Sequence, residues 1–201
     1  RISEPGQALL IAARDGNIRK INSLLKSGTP VDYTTPGSYT PLAYATARGH
    51  LRAASLLLKN GADINKKGRF DKSPLLLVAG SKHFKSAKFL VDRGADIKAI
   101  QWHKATCLHE AALWHQPKNL KFFADIGVDP NIVIGNGASP LHWTIWRANN
   151  DDESSLETAK TLIKILLEAG AKKSLKTNNG ETAHDLAKNK GLDEIAAMLK
   201  P

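Results

Sequence analysis

Seven histidines, one cysteine and 19 acidic side chains are the residues of this 201-residue chain that could carry out acid, base, nucleophilic or metal chemistry. A nucleophile needs its base within hydrogen-bond reach. Cys107 and His109 are close in sequence, but side chains two residues apart at a helix start point to different sides. His103, His109 and His115 follow at intervals of six, which do not stack on one helix face, so they make no convergent metal set. Asp151, Asp152 and Glu153 lack the alternating oxygen ligands and the glycine of a calcium loop, and read as a solvated acidic loop. No glycine-rich phosphate loop follows a strand. We therefore expect no enzyme, no catalytic residue, no metal and no cofactor. The side chains better suited to function are tryptophan, tyrosine and arginine, the types that dominate interface energetics.

The elements that position these residues come from a repeat. Thr40-Pro41-Leu42, Ser73-Pro74-Leu75, Thr106-Cys107-Leu108-His109 and Ser139-Pro140-Leu141-His142 recur every 33 residues. A hydroxyl before proline suits a helix entry, because it caps free backbone N–H groups and proline is tolerated in the first turn. A short first helix follows, with Ala45, Ala79, Ala111 and Ala112 where a neighbour must approach closely. A second helix carries apolar residues at helical spacing, as in Leu51, Ala54, Leu57 and Leu58. Glycine ends it, at Gly28, Gly61, Gly94, Gly127 and Gly170; the last interval is 43, so ten residues are inserted in the fifth unit. No helix pair this small buries its own apolar face, so neighbours must stack.

The pattern resembles the ankyrin repeat, with Thr-Pro-Leu-His, Ala-Ala, Leu-Leu and Gly-Ala-Asp followed by Asn. The resemblance implies an all-α solenoid of stacked helix-turn-helix units with short β-hairpin fingertips, forming a single domain over 1–201. The units run at about 5–32, 33–65, 66–98, 99–131, 132–174 with the insertion, and 175–201 as a C-terminal cap. Departures fall at Ala43 and Leu76, where histidine is usual, and at Lys82, His115 and Ala148, where glycine is usual. In this family His109 and His142 tie neighbouring turns together by hydrogen bonds. The insertion, roughly Ala148 to Glu157, reads as a polar loop, with Ser154 and Ser155 with Glu157 capping the helix that runs through Leu162 and Leu166.

Family geometry also implies the binding surface, a concave face made by the fingertips and the free side of each first helix. The residue after the histidine slot and the one four further on share that side. These are Tyr44 and Arg48, Glu110 and Trp114, and Trp143 and Arg147, with Trp146 beside them. The fingertips add Tyr39, Phe70, Lys72 and Trp102. A plainer role for Trp114, Trp143 and Trp146 is packing between neighbouring first helices.

Charge is uneven. The net charge is +10, and residues 1–98 hold 17 basic and 7 acidic side chains against 12 of each in the remainder. Lys66, Lys67, Arg69 and Lys72 are the densest group and would attract an acidic partner, or simply keep the protein soluble. The expected function is a non-enzymatic protein-protein interaction module, monomeric when free, whose partner is a protein with an acidic patch and not a small molecule. An inhibitor or immunity-type protein that blocks a toxic enzyme is the alternative. A third reading is a binder of nucleic acid or acidic lipid through the basic first half. No apolar run reaches the roughly 18 residues of a membrane span. A single cysteine makes no internal disulfide. The chain opens on Arg1 without a basic and apolar leader; a cytoplasmic location is expected, with a periplasmic or secreted one after leader removal as the alternative.

Overall fold

Hydroxyl caps start the first helices as the sequence predicts. Thr40 Oγ1 accepts from Ala43 N at 3.2 Å and Ser73 Oγ from Leu76 N at 3.4 Å, and Pro41 and Pro74 occupy the first helical turn. The computed structural model describes residues 4–200. They form twelve α-helices: α1 (Glu4–Arg14), α2 (Ile18–Lys26), α3 (Pro41–Ala47), α4 (Leu51–Lys59), α5 (Pro74–Ala79), α6 (Phe84–Val91), α7 (Cys107–Leu113), α8 (Pro117–Asp125), α9 (Pro140–Arg147), α10 (Glu153–Glu168), α11 (Ala183–Asn189) and α12 (Asp193–Met198). The contacts group them into two compact units that divide between Trp102 and His103.

In the first unit α1, α3 and α5 pack side by side as one layer, and α2, α4 and α6 lie against them. Leu9, Ile21, Leu42, Ala45, Ala54 and Leu57 fill the core between the layers. In the second unit α7, α9 and α11 make the equivalent layer, backed by α8, α10 and α12. Leu108, Leu120, Phe123, Leu141, Ile145, Leu162 and Leu166 are buried there. Alanines on the first helices let them approach: Ala45, Ala79, Ala111 and Ala112 have no exposed surface.

Polar ties join consecutive repeats within each unit. The carboxylate of Asp32 accepts from Asp63 N at 3.0 Å, the amide of Asn65 from Asp96 N at 2.9 Å, and that of Asn131 from Lys172 N at 2.8 Å. The slot at 98 holds a lysine, which has no acceptor to offer. Between the helices of a pair, Gly49 turns at φ 79, and a Cβ there would lie 2.6 Å from His83 Nδ1, so the histidine one repeat on excludes any side chain. At the same place in the fourth repeat His115 takes φ 50 in spite of its side chain.

Two expectations change. Fingertip hairpins are reduced to tight turns, and the described residues contain one isolated bridge, Lys176 with Thr182, because the arms are too short for a ladder. The insertion is not a loop up to Ser154. Asp152 caps α10 by accepting from Ser155 N at 3.2 Å, so most of the added residues extend this helix to 16 residues. Ser155 instead takes Asn149 N on its hydroxyl at 3.3 Å. Asp152 wins because its carboxylate both accepts and complements the positive helix end.

Candidate functional site

The histidines fix the turns that carry the surface. His109 Nδ1 takes the Thr106 N–H at 3.2 Å and lies 3.0 Å from Thr106 Oγ1, while Nε2 donates to Ala138 O, one repeat on, at 3.3 Å. His142 repeats this with Ser139 and with Glu181 O at 3.1 Å. Burial pushes the His109 imidazole down to about 4, opposed by its bond to Ala138 O. His142 is lowered for the same reason. Both are neutral structural rings. The Cys107 side chain is fully buried, and both His109 nitrogens are engaged by Thr106 and Ala138, which withdraws this ring as a base for the thiol.

On the second unit, α7 and α9 present two exposed tryptophans. Trp114, which ends α7, is 52% exposed and Trp146, in the last turn of α9, is 39% exposed, with Arg147 exposed next to it in sequence. Arg147 occupies in its repeat the place of Trp114 in the one before, 33 residues earlier. Its charge also acts on His115, whose imidazole is lowered first by burial and further by Arg147.

Two residues expected on this face turn inward. Glu110 is 1% exposed, so it is core and not contact surface. Trp143 is half-buried, its ring standing edge-on to His109 with centroids 5.2 Å apart, and its Nε1 is buried. The cause is the packing of α9 on α7: positions 110 and 143 share one row, and a tryptophan there closes over the buried imidazole instead of reaching solvent. Helical spacing places a residue on a side of its helix; the neighbour decides how much of that side stays open.

On the first unit, Tyr44 is half-buried with its ring edge-on to Tyr39, centroids 5.6 Å apart, and Arg48 is exposed. Beside Tyr44 is a cavity of about 350 Å³ lined by Gln7, Leu10, Ile11, Arg14 and Ser38. No sequence motif marks Leu10 and Arg14 as part of this surface. Phe70 is 48% and Trp102 66% exposed, both on fingertips, whereas Lys72 is half-buried.

A family described as ankyrin repeats (3 copies) matches residues 3–68. An ankyrin repeat domain from Acinetobacter baumannii AYE shares the fold with a TM-score of 0.78 and 28% identity, covering 95% of each chain. The chain has the ankyrin-repeat fold, and its residues 3–68 match the ankyrin-repeat family. A complex of a predatory endopeptidase with an immunity protein from Bdellovibrio bacteriovorus contains a chain similar to this ankyrin-repeat protein, at TM-score 0.77 and 22% identity, covering 99% of this chain and 98% of that one. That second likeness is one of fold. No curated protein sequence matches the chain.

Proposed function

We propose that this ankyrin-repeat protein is a non-enzymatic module that binds another protein through the face formed by its first helices and fingertips. The observation that carries this reading is the pair Trp114 and Trp146, which stay open on α7 and α9 while Trp143 between them in sequence is drawn into the packing. Large exposed indoles next to an arginine are the residue types enriched at interface centres, and folding alone gives no reason to leave them in water. The partner carries an acidic patch, since the positive excess lies in the first half of the chain. The free chain is monomeric in this reading, and an inhibitor of immunity type is its more specialised form.

The test is capture on the immobilised chain, with the retained protein then titrated against the wild type, Trp114→Ala and Trp146→Ala. Each substitution should weaken binding by at least about tenfold, the factor that about 1.4 kcal/mol represents. A retained enzyme that loses activity on binding selects the inhibitor form. Unchanged affinity together with a large loss of stability would mean that the indoles serve packing and the contact lies elsewhere.

A further inference from the structure

The turn at Arg69-Phe70-Asp71-Lys72 is built against local preference. Phe70 has φ 58 and ψ 25 and Asp71 has φ 59, two consecutive side chains in the left-handed region that hairpin turns normally give to asparagine and glycine. The surroundings enforce it. Lys72 N bonds Arg69 O at 3.3 Å, Gly68 N bonds Lys72 O at 3.0 Å, and Arg69 N bonds Ser38 O on the preceding fingertip at 2.9 Å. Gly68 lies so close to that fingertip that a Cβ would come 2.8 Å from Tyr39 Cα. Lys67 Nζ bonds Asp71 Oδ2 at 2.7 Å and Ile100 O at 3.2 Å, which ties this loop to the next fingertip of the same unit.

The result is a rigid tip that holds an aromatic ring outward. Phe70 is 48% exposed with the Arg69 guanidinium 4.4 Å above its ring, and the adjoining fingertip shows Ile100 at 41% and Trp102 at 66%. Around them Lys66, Arg69 and Lys98 are exposed, and the one acidic side chain of the 66–72 loop, Asp71, is ion-paired to Lys67. Apolar tips set among cations on protruding loops match a bilayer surface, where rings and aliphatic groups enter the interface and ammonium and guanidinium groups meet anionic headgroups. A single-stranded nucleic acid would use stacking platforms, and Ile100 is not one.

We propose that the fingertips at 66–72 and 100–102 dock this protein on a membrane surface bearing anionic lipid, with Phe70, Ile100 and Trp102 entering the interface. The proposal does not rest on the protein-binding reading, although both draw on the fingertips, and the vesicle assay needs no protein partner. It is tested with the full chain and vesicles of phosphatidylcholine alone or mixed with phosphatidylserine, by co-sedimentation. Binding should require phosphatidylserine. Lys66→Gln and Arg69→Gln should each lower the partition coefficient about fivefold, the factor that ~1 kcal/mol per basic residue near an anionic surface represents. Phe70→Asn and Trp102→Ser together should lower it about tenfold or more. Asparagine accepts the left-handed turn, so Phe70→Asn should leave the melting temperature unchanged or raised while membrane binding falls, a split that a purely structural phenylalanine would not give. Failure to bind the mixed vesicles overturns the proposal. So does vesicle binding that survives Phe70→Asn with Trp102→Ser, or binding of a single-stranded oligonucleotide in place of vesicles.

Discussion

His109 is neutral in the fold because its buried ring cannot be charged cheaply, and burial takes it from 6.5 down to about 4. Between these values the unfolded chain binds more protons than the folded one, so the contribution is complete above about pH 6.5 and is lost as the pH falls towards 4. Urea unfolding at pH 7.5 and 4.5 should therefore differ by up to roughly 3 kcal/mol from this residue, with His142 adding in the same direction. His109→Gln should flatten that slope. The tryptophans separate by environment in the same experiment. Trp143→Ala uncovers the imidazole and should cost about 2–4 kcal/mol, whereas Trp114→Ala, at a half-open position, should cost under about 1 kcal/mol.

At the scale of elements, the end of α9 shows how an insertion is accommodated. After α1, α3, α7 and α11 a turn residue with positive φ (Gly16, Gly49, His115, Gly191) closes the first helix, but Ala148 leaves at φ −59 and ψ 134, so the last carbonyls of α9 lack that closure. Lys190, just past α11, supplies it: its ammonium donates to Ile145 O at 3.1 Å, Trp146 O at 2.9 Å and Ala148 O at 2.7 Å. A cation at a helix C-terminus is also favoured by the helix dipole. Partial burial lowers the Lys190 ammonium, which nevertheless keeps three acceptors. Lys190→Met should cost about 1–3 kcal/mol by leaving these carbonyls unpaired, and hydrogen exchange should speed up in the last turn of α9. Because Trp146 lies in that turn, the substitution should also weaken partner binding.

At the scale of the whole molecule, charge is the distinguishing property. The first unit carries the entire net charge of +10, and the second carries equal numbers of basic and acidic side chains. A field of this kind acts on encounter rates over about a Debye length, near 8 Å at physiological salt, and hardly at all on the fold. Lys66→Glu, Lys67→Glu and Arg69→Glu together should slow association with the acidic partner about tenfold or more and reduce its salt dependence, while the helical circular dichroism stays unchanged. An unaltered association rate would show that these side chains do not steer the protein partner.

The helix pairs, their order and their ends were legible in the residues alone, because caps, first-turn prolines and turn glycines act within four residues of the backbone groups they satisfy. Thr40, Ser73 and Gly61 do in the structure what their types and positions imply. The histidine ties were legible through the family pattern. What only the tertiary structure decided is set by neighbours far along the chain. Glu110 and Trp143 share a row with exposed-looking spacing, yet the packing of α9 on α7 draws both inward. Lys190 reaches a helix end more than forty residues away, and no local signal announces it. Phe70 takes a left-handed conformation that its residue type argues against, because hydrogen bonds from the flanking backbone and the preceding fingertip outweigh the preference of one residue. Local chemistry chose the elements of this protein; which of their faces stay open to a partner was chosen by how the repeats cover one another.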